Sequence, residues 1–298
     1  MTYPVGGASA ETGTERHPLL GAFARIYARD SADALAEAFV VDHLVHVQLN
    51  LSALGFPTIP AAEELADIDT GAVRAAFTSR GRVIWGVSAT YNTAHPDAGV
   101  REDTTTRAAD FIASLGALQP IAATLCTGTR DPDNMWRPHP DNTTEAAWTD
   151  MRRSLDELIP AARQAGVLLA VEPEPGNVVR GTAQAKRLVA ELGADAERIG
   201  FILDPANLVS ASPSKQHQRI LVQAFQELGE KTICLHAKDI QPWADTLEGG
   251  EGVDYDLVAR LYHALPHQVP FIIQDATEYE LPHVRDWLVS RLDSTATQ

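Results

Sequence analysis

Short apolar runs of strand character alternate with longer stretches whose apolar residues recur at helical spacing along residues 18–298. Strands are expected at 20–28, 44–49, 83–88, 121–126, 167–171, 200–203, 232–235 and 271–273. Each is followed by a predicted helix: 32–39 behind the N-cap Ser31, then 71–80, 104–115, 144–165 ending at Gly166, 182–192, 215–228, 255–264 and 281–292. Strict alternation of strand and helix calls for a parallel sheet, and eight pairs is the number that closes a (β/α)8 TIM barrel. The rival, an open doubly wound sheet, usually carries a glycine-rich phosphate turn after its first strand, and none is present. The expected fold is α/β, one barrel domain over 18–298. Residues 1–17 lack apolar periodicity and are expected to form a flexible tail.

Composition narrows the function. Of 298 residues, 40 are Asp or Glu and 24 are Lys or Arg, a formal net charge of −16. Nucleic acid and anionic membranes both need a basic footprint, so neither is an expected partner. No run approaches the roughly 18 apolar residues that span a bilayer, and the first residues lack the apolar core of a signal peptide. The two cysteines, Cys126 and Cys234, both fall in or at the end of predicted strands, which argues against a disulfide framework and for the reducing cytoplasm.

Polar residues gather where three successive strands stop. Gly200-Phe201-Ile202-Leu203 runs into Asp204-Pro205, and proline ends a ladder because it lacks a donor. Val167 to Val171 runs into Glu172-Pro173, and Thr232 to Leu235 into His236-Ala237-Lys238-Asp239. A parallel sheet brings these ends together. One imidazole and two carboxylates suit a divalent cation such as Mn, Zn, Co or Mg. Alternatively, each is a polar group bonded to its own loop. Lys238 and Glu174 share the inward parity of His236 and Glu172, which offers a cation for an oxyanion or phosphate and a second carboxylate.

These residues, with Asn177, Asn207 and the loops Tyr91 to Asp97 and Cys126 to Asp131, resemble the sugar phosphate isomerase/epimerase superfamily, the xylose isomerase-like TIM barrels. The similarity covers nearly the whole chain after the tail. It implies a divalent metal at the barrel mouth, held by Glu172, Asp204 and His236, and proton transfer beside a carbonyl of a sugar or polyol. Family epimerases take a fourth ligand, a Glu, from the end of the eighth strand; here that place holds Gln274, with Asp275 and Glu278 beyond it. Gln274 is expected as the fourth ligand, directly or through a water, since an amide oxygen binds a hard cation, but it takes no proton at neutral pH.

The expected activity is a metal-dependent isomerase or epimerase, with Glu172 as base and the metal stabilising an enediolate. A dehydratase using the same base and a separate acid, Lys238 or His95, is the alternative; a catalytically silent carbohydrate-binding barrel is another. Substrate contacts are expected from His95, Arg130, Trp136, Asn177 and Asn207. The alternatives are a loop cap for His95 and turn bonding for the asparagines. The loop 127–143 also carries Asp131, Asn134, Arg137 and His139. It exceeds the usual ~2–6 residues, enough for a lid, a packed loop or a subunit contact in a homo-oligomer. Trp243 is a further candidate for the mouth.

Overall fold

The computed structural model describes residues 19–296, so the predicted tail 1–17 lies outside the described residues. Eight parallel strands close a barrel in chain order: β1 (Leu20–Phe23), β2 (His46–Leu49), β3 (Val83–Ser88), β4 (Ala122–Leu125), β5 (Leu168–Val171), β6 (Ile199–Leu203), β7 (Thr232–Ala237) and β8 (Phe271–Ile273). The barrel closes where Leu20, Gly21 and Ala22 pair with Phe271, Ile272 and Ile273. Around it run α1 (Ala32–Val41), α2 (Ala62–Ala66), α3 (Thr70–Thr78), α4 (Ala98–Ser114), α5 (Glu145–Ala165), α6 (Thr182–Leu192), α7 (Pro205–Val209), α8 (His217–Leu228), α9 (Trp243–Leu247), α10 (Tyr255–His263) and α11 (Leu281–Ala296). No helix among the described residues is long and apolar enough to cross a membrane. Cys126 and Cys234 are buried free thiols.

Several element ends differ from expectation for local reasons. β1 stops at Phe23, and residues Ala24–Ile26 turn into a 3-10 helix instead of continuing the strand. α4 starts at Ala98, well before the expected 104, because the Asp97 carboxylate accepts a hydrogen bond from Val100 N and caps the helix. Its polar start looks like loop in the sequence, yet Arg101 in the first turn and Thr105 one turn on are buried. The short helices α2, α7 and α9 are too brief to carry a periodic pattern. β7 runs on through Ala237, so His236 stands inside the strand, paired with Ile272.

Two apolar layers hold the fold. The larger packs the outer face of the sheet against the helices. The smaller joins Trp85, Ala122, Ala170, Ile202, Cys234 and Ile272 inside the barrel. Side chains on a strand alternate faces, so Ala170, Ile202, Cys234 and Ile272 lie directly beneath Glu172, Asp204, His236 and Gln274. This layer is the floor of the mouth. The alanines at 122 and 170 leave room that the fully buried Trp85 fills. Trp85→Ala should lower stability by about 3–5 kcal/mol in chemical denaturation. An unchanged midpoint and slope would show that the floor does not carry the barrel.

Candidate active site

Asp204 stands at the end of β6 with none of its surface exposed. Pro205 ends the strand and opens α7, and Asp204 caps that helix: its Oδ1 accepts from Asn207 N at 3.0 Å. Its Oδ2 is buried without a hydrogen-bond partner. Glu172, just past β5, accepts a hydrogen bond on Oε1 from Asn207 Nδ2 at 2.7 Å, so one asparagine ties the two carboxylates to one helix start. His236 Nδ1 lies 3.2 Å from Glu172 Oε2 but off hydrogen-bond alignment, and counts among the buried atoms without a hydrogen bond. Ligand atoms of Glu172, Asp204 and His236 all lie within 4.8 Å of one another.

The far edge of His236 is braced across the barrel. Gln48 on β2 places Oε1 at 2.9 Å from His236 Nε2, and Gln274 places its amide nitrogen at 3.1 Å from the same atom. An oxygen acceptor at Nε2 puts the ring proton there and leaves Nδ1 as a lone pair toward the carboxylates. A turn of the Gln274 amide makes it a second acceptor at that proton. Gln274 thus touches the imidazole on the side away from Glu172. It is fixed by its own backbone: Gln274 N donates to Ala237 O at 2.9 Å, and Trp243 Nε1 donates to Gln274 O at 2.8 Å.

Charge is crowded here. Burial and the neighbouring Glu172 push Asp204 up to about 7, and the same two causes push Glu174 up to about 9. Burial alone would raise Glu172, but His236, Lys238 and Asn207 outweigh it and hold that carboxyl below its ordinary range. Burial opposes the charge on Lys238, yet Asp204, Asp275 and Glu172 together push it up to about 12. Its backbone is clamped by Tyr255, whose hydroxyl accepts from Lys238 N at 2.8 Å and donates to Lys238 O at 2.7 Å. The group opens into a cavity of about 650 Å³ lined by Glu172, Glu174, Asn207, Lys238, Gln274 and Trp136 among others.

Residues 48–288 match the family described as xylose isomerase-like TIM barrel. The chain belongs to that family. Among solved structures, a D-tagatose 3-epimerase-like protein aligns at TM-score 0.72 and 14% identity, covering 93% of this chain and 98% of the other. D-psicose 3-epimerase from Clostridium cellulolyticum H10, solved with D-tagatose, aligns at TM-score 0.66 and 12% identity over 92% and 99%. A xylose isomerase-like TIM barrel protein from Mycobacterium smegmatis in complex with magnesium aligns at 0.63 and 14% over 93% and 97%. No curated protein matches the sequence.

In this xylose isomerase-like barrel several of the expected contact residues are bonded to neighbouring loops and helices. His95 Nε2 lies 3.2 Å from Pro132 O, and its Nδ1 accepts from Asp97 N at 3.1 Å, which joins the loops after β3 and β4. Arg130 turns to the helix layer, where it meets Asp150 of α5 at 2.7 Å beside Arg101. Asn177, fully buried, accepts from Gly128 N at 2.8 Å and donates to Met135 O at 3.4 Å. None of these three lines the cavity. Trp243 is buried against Tyr255 and Trp287. Trp136 does reach the cavity and is 52% exposed.

The loop 127–143, open to a lid, a packed loop or a subunit contact, is pinned at several points. Asn142 bonds Thr129 and the carbonyl of Gly176, and Arg137 pairs with Asp131 at 3.0 Å. Asn134 Oδ1 accepts from Trp136 N, and His139 Nδ1 from Asp141 N. A side chain at Gly176 would meet Trp136 O at 2.6 Å, so only glycine allows this approach. At the eighth strand, Asp275 has φ 56° and meets Lys238 at 3.3 Å, while Glu278 is paired with Arg29 and lines no part of the cavity. Sequence reasoning missed Gln48, whose partner His236 is 188 residues away. Arg130→Gln should cost about 1–3 kcal/mol of stability by denaturation and leave ligand affinity of the cavity unchanged. A selective loss of affinity at unchanged stability would return Arg130 to the substrate.

Proposed function

We propose that this protein is a divalent-metal-dependent isomerase or epimerase of a sugar or polyol. The observation that carries the reading is the meeting of Glu172, Asp204 and His236 from three successive strands, within 4.8 Å, with two buried donor atoms unpartnered. An orphaned carboxylate oxygen beside an orphaned imidazole nitrogen is costly unless an ion takes both. The donor set fits Mn, Zn, Co or Mg. When bound, such an ion supplies Lewis acidity for negative charge developing on a substrate oxygen.

The chain's own groups supply the remaining steps. Glu172, held on Oε1 by Asn207, takes the proton from the carbon beside the substrate carbonyl. Lys238, kept cationic by its carboxylate neighbours, steadies the enediolate. Glu174, on the same side of the cavity, is the second proton-handling group. Trp136 offers a face for the sugar ring, and the pinned loop keeps it in place. A dehydratase is the second reading, favoured by the amide of Gln274 where a second base is expected: elimination needs only one base and a separate acid. The acidic surface and two buried thiols accord with a cytoplasmic enzyme.

Metal analysis of the purified protein should find a divalent ion, lost in Asp204→Asn and in His236→Ala. Glu172→Gln should keep a weakened site while proton exchange of an accepted ketose in deuterated water falls by about 10²–10⁴-fold. Release of water in place of exchange would move the assignment to the dehydratase. Full exchange by Glu172→Gln would contradict the base assignment.

A further inference from the structure

Charge is unevenly placed around the cavity wall. Its lining carboxylates, Glu172, Glu174 and Asp275, all follow β5 or β8. The lining that comes from β1 to β4 and the loops after them holds a single formal charge, Arg25. That is notable in a chain of net charge −16, where carboxylates are abundant. Arg25 is exposed at the mouth, its guanidinium 6.0 Å from the ring of Phe23, and it has no ion pair or hydrogen bond among the described residues. Arg29, the next arginine along, is paired with Glu278.

The same cavity wall holds a second donor with no bond among the described residues. Asn50, just past β2, is only 4% exposed and lines the same cavity. Its Oδ1 accepts from Ser52 N at 3.0 Å and from Thr58 Oγ1 at 3.1 Å, which fixes the amide. The donor end, Nδ2, is left without a partner among the described residues. The two bonds to Oδ1 fix which way the amide faces, so its nitrogen is a preset donor at the cavity wall.

We propose that the substrate carries an oxyanion, a phosphate or a carboxylate, and that Arg25 and Asn50 receive it. The inference rests on the sugar-like substrate assigned above and names its class. A planar guanidinium and an amide together match two oxygens of one anionic group and bind it more strongly than they bind neutral hydroxyls. β1 and β2 lie across the barrel from β5 and β6, so the anionic end is held away from Glu172 and Asp204. The reverse orientation puts like charges together, so the substrate enters with its reacting carbons toward Glu172.

The test uses the full-length protein with manganese and two matched pairs of probes in calorimetry: D-ribulose 5-phosphate against D-ribulose, and D-galacturonate against D-galactose. The anionic member of at least one pair should bind about tenfold or more tightly than its neutral partner. The pair that shows the preference tells phosphate from carboxylate. Arg25→Gln and Asn50→Asp should each remove the preference while manganese affinity stays unchanged; Asn50→Asp keeps the oxygen that accepts from Ser52. Equal affinity within both pairs, absence of binding by any probe, or a preference that survives both substitutions overturns the proposal. Manganese titration of the same protein is read separately: no metal binding with an intact anion preference contradicts the metal-dependent reading alone.

Discussion

Asp204 is fully enclosed, accepts on one oxygen from the backbone N–H of Asn207 and leaves the other without a hydrogen-bond partner, with Glu172 and His236 close by. Burying carboxylates together is expensive because desolvation and mutual repulsion act in the same direction. The barrel tolerates it because the backbone leaves little choice: parallel strands deliver their C-terminal ends to one lip, and Pro205 stops β6 at this aspartate. What surrounds the group works to hold it. Asn207 bridges Glu172 and Asp204, Gln48 and Gln274 fix the ring of His236, and Lys238 supplies a compensating charge. A cation among the three is the simplest relief for the charge that remains.

Around that group the fold separates holding from contacting. Beneath it, Ala170, Ile202, Cys234 and Ile272 form an apolar floor from which site residues rise two positions later. Beside it, His95, Arg130, Asn142 and Asn177 lace the loops after β3, β4 and β5 to one another and to α5. The loop after β7 is braced by Asp239, which accepts from Ile240 N, Val253 N and Thr246 Oγ1. Those bonds set where Lys238 and Trp136 stand, and a site placed this firmly needs little reorganisation as charge develops.

The barrel and the meeting of Glu172, Asp204 and His236 were legible in the sequence because both depend on short-range signals. Alternating apolar runs mark the strands, and Asp-Pro and Glu-Pro mark where two of them end. The parity that places Lys238 beside His236 follows from strand geometry. What could not be read are choices made in three dimensions. Nothing in the text of loop 127–143 says that Arg130 turns outward to Asp150 while Trp136 turns inward. Asn177 and Asn207 look alike in sequence; one bonds loop amides in the interior, and the other binds Glu172. Gln48 lay hidden for the same reason, since its partner comes from the seventh strand. Short helices such as α7 escaped because a single turn has no period, although its cap, Asp204, was in plain view.

The central claim is that Glu172, Asp204 and His236 hold one divalent cation. Anomalous X-ray diffraction from crystals grown with manganese tests it most directly. A single strong anomalous peak is expected in the barrel mouth, about 2.0–2.3 Å from Asp204 Oδ2, His236 Nδ1 and a Glu172 oxygen. A peak elsewhere on the chain, or none in the mouth with manganese in excess, would contradict it.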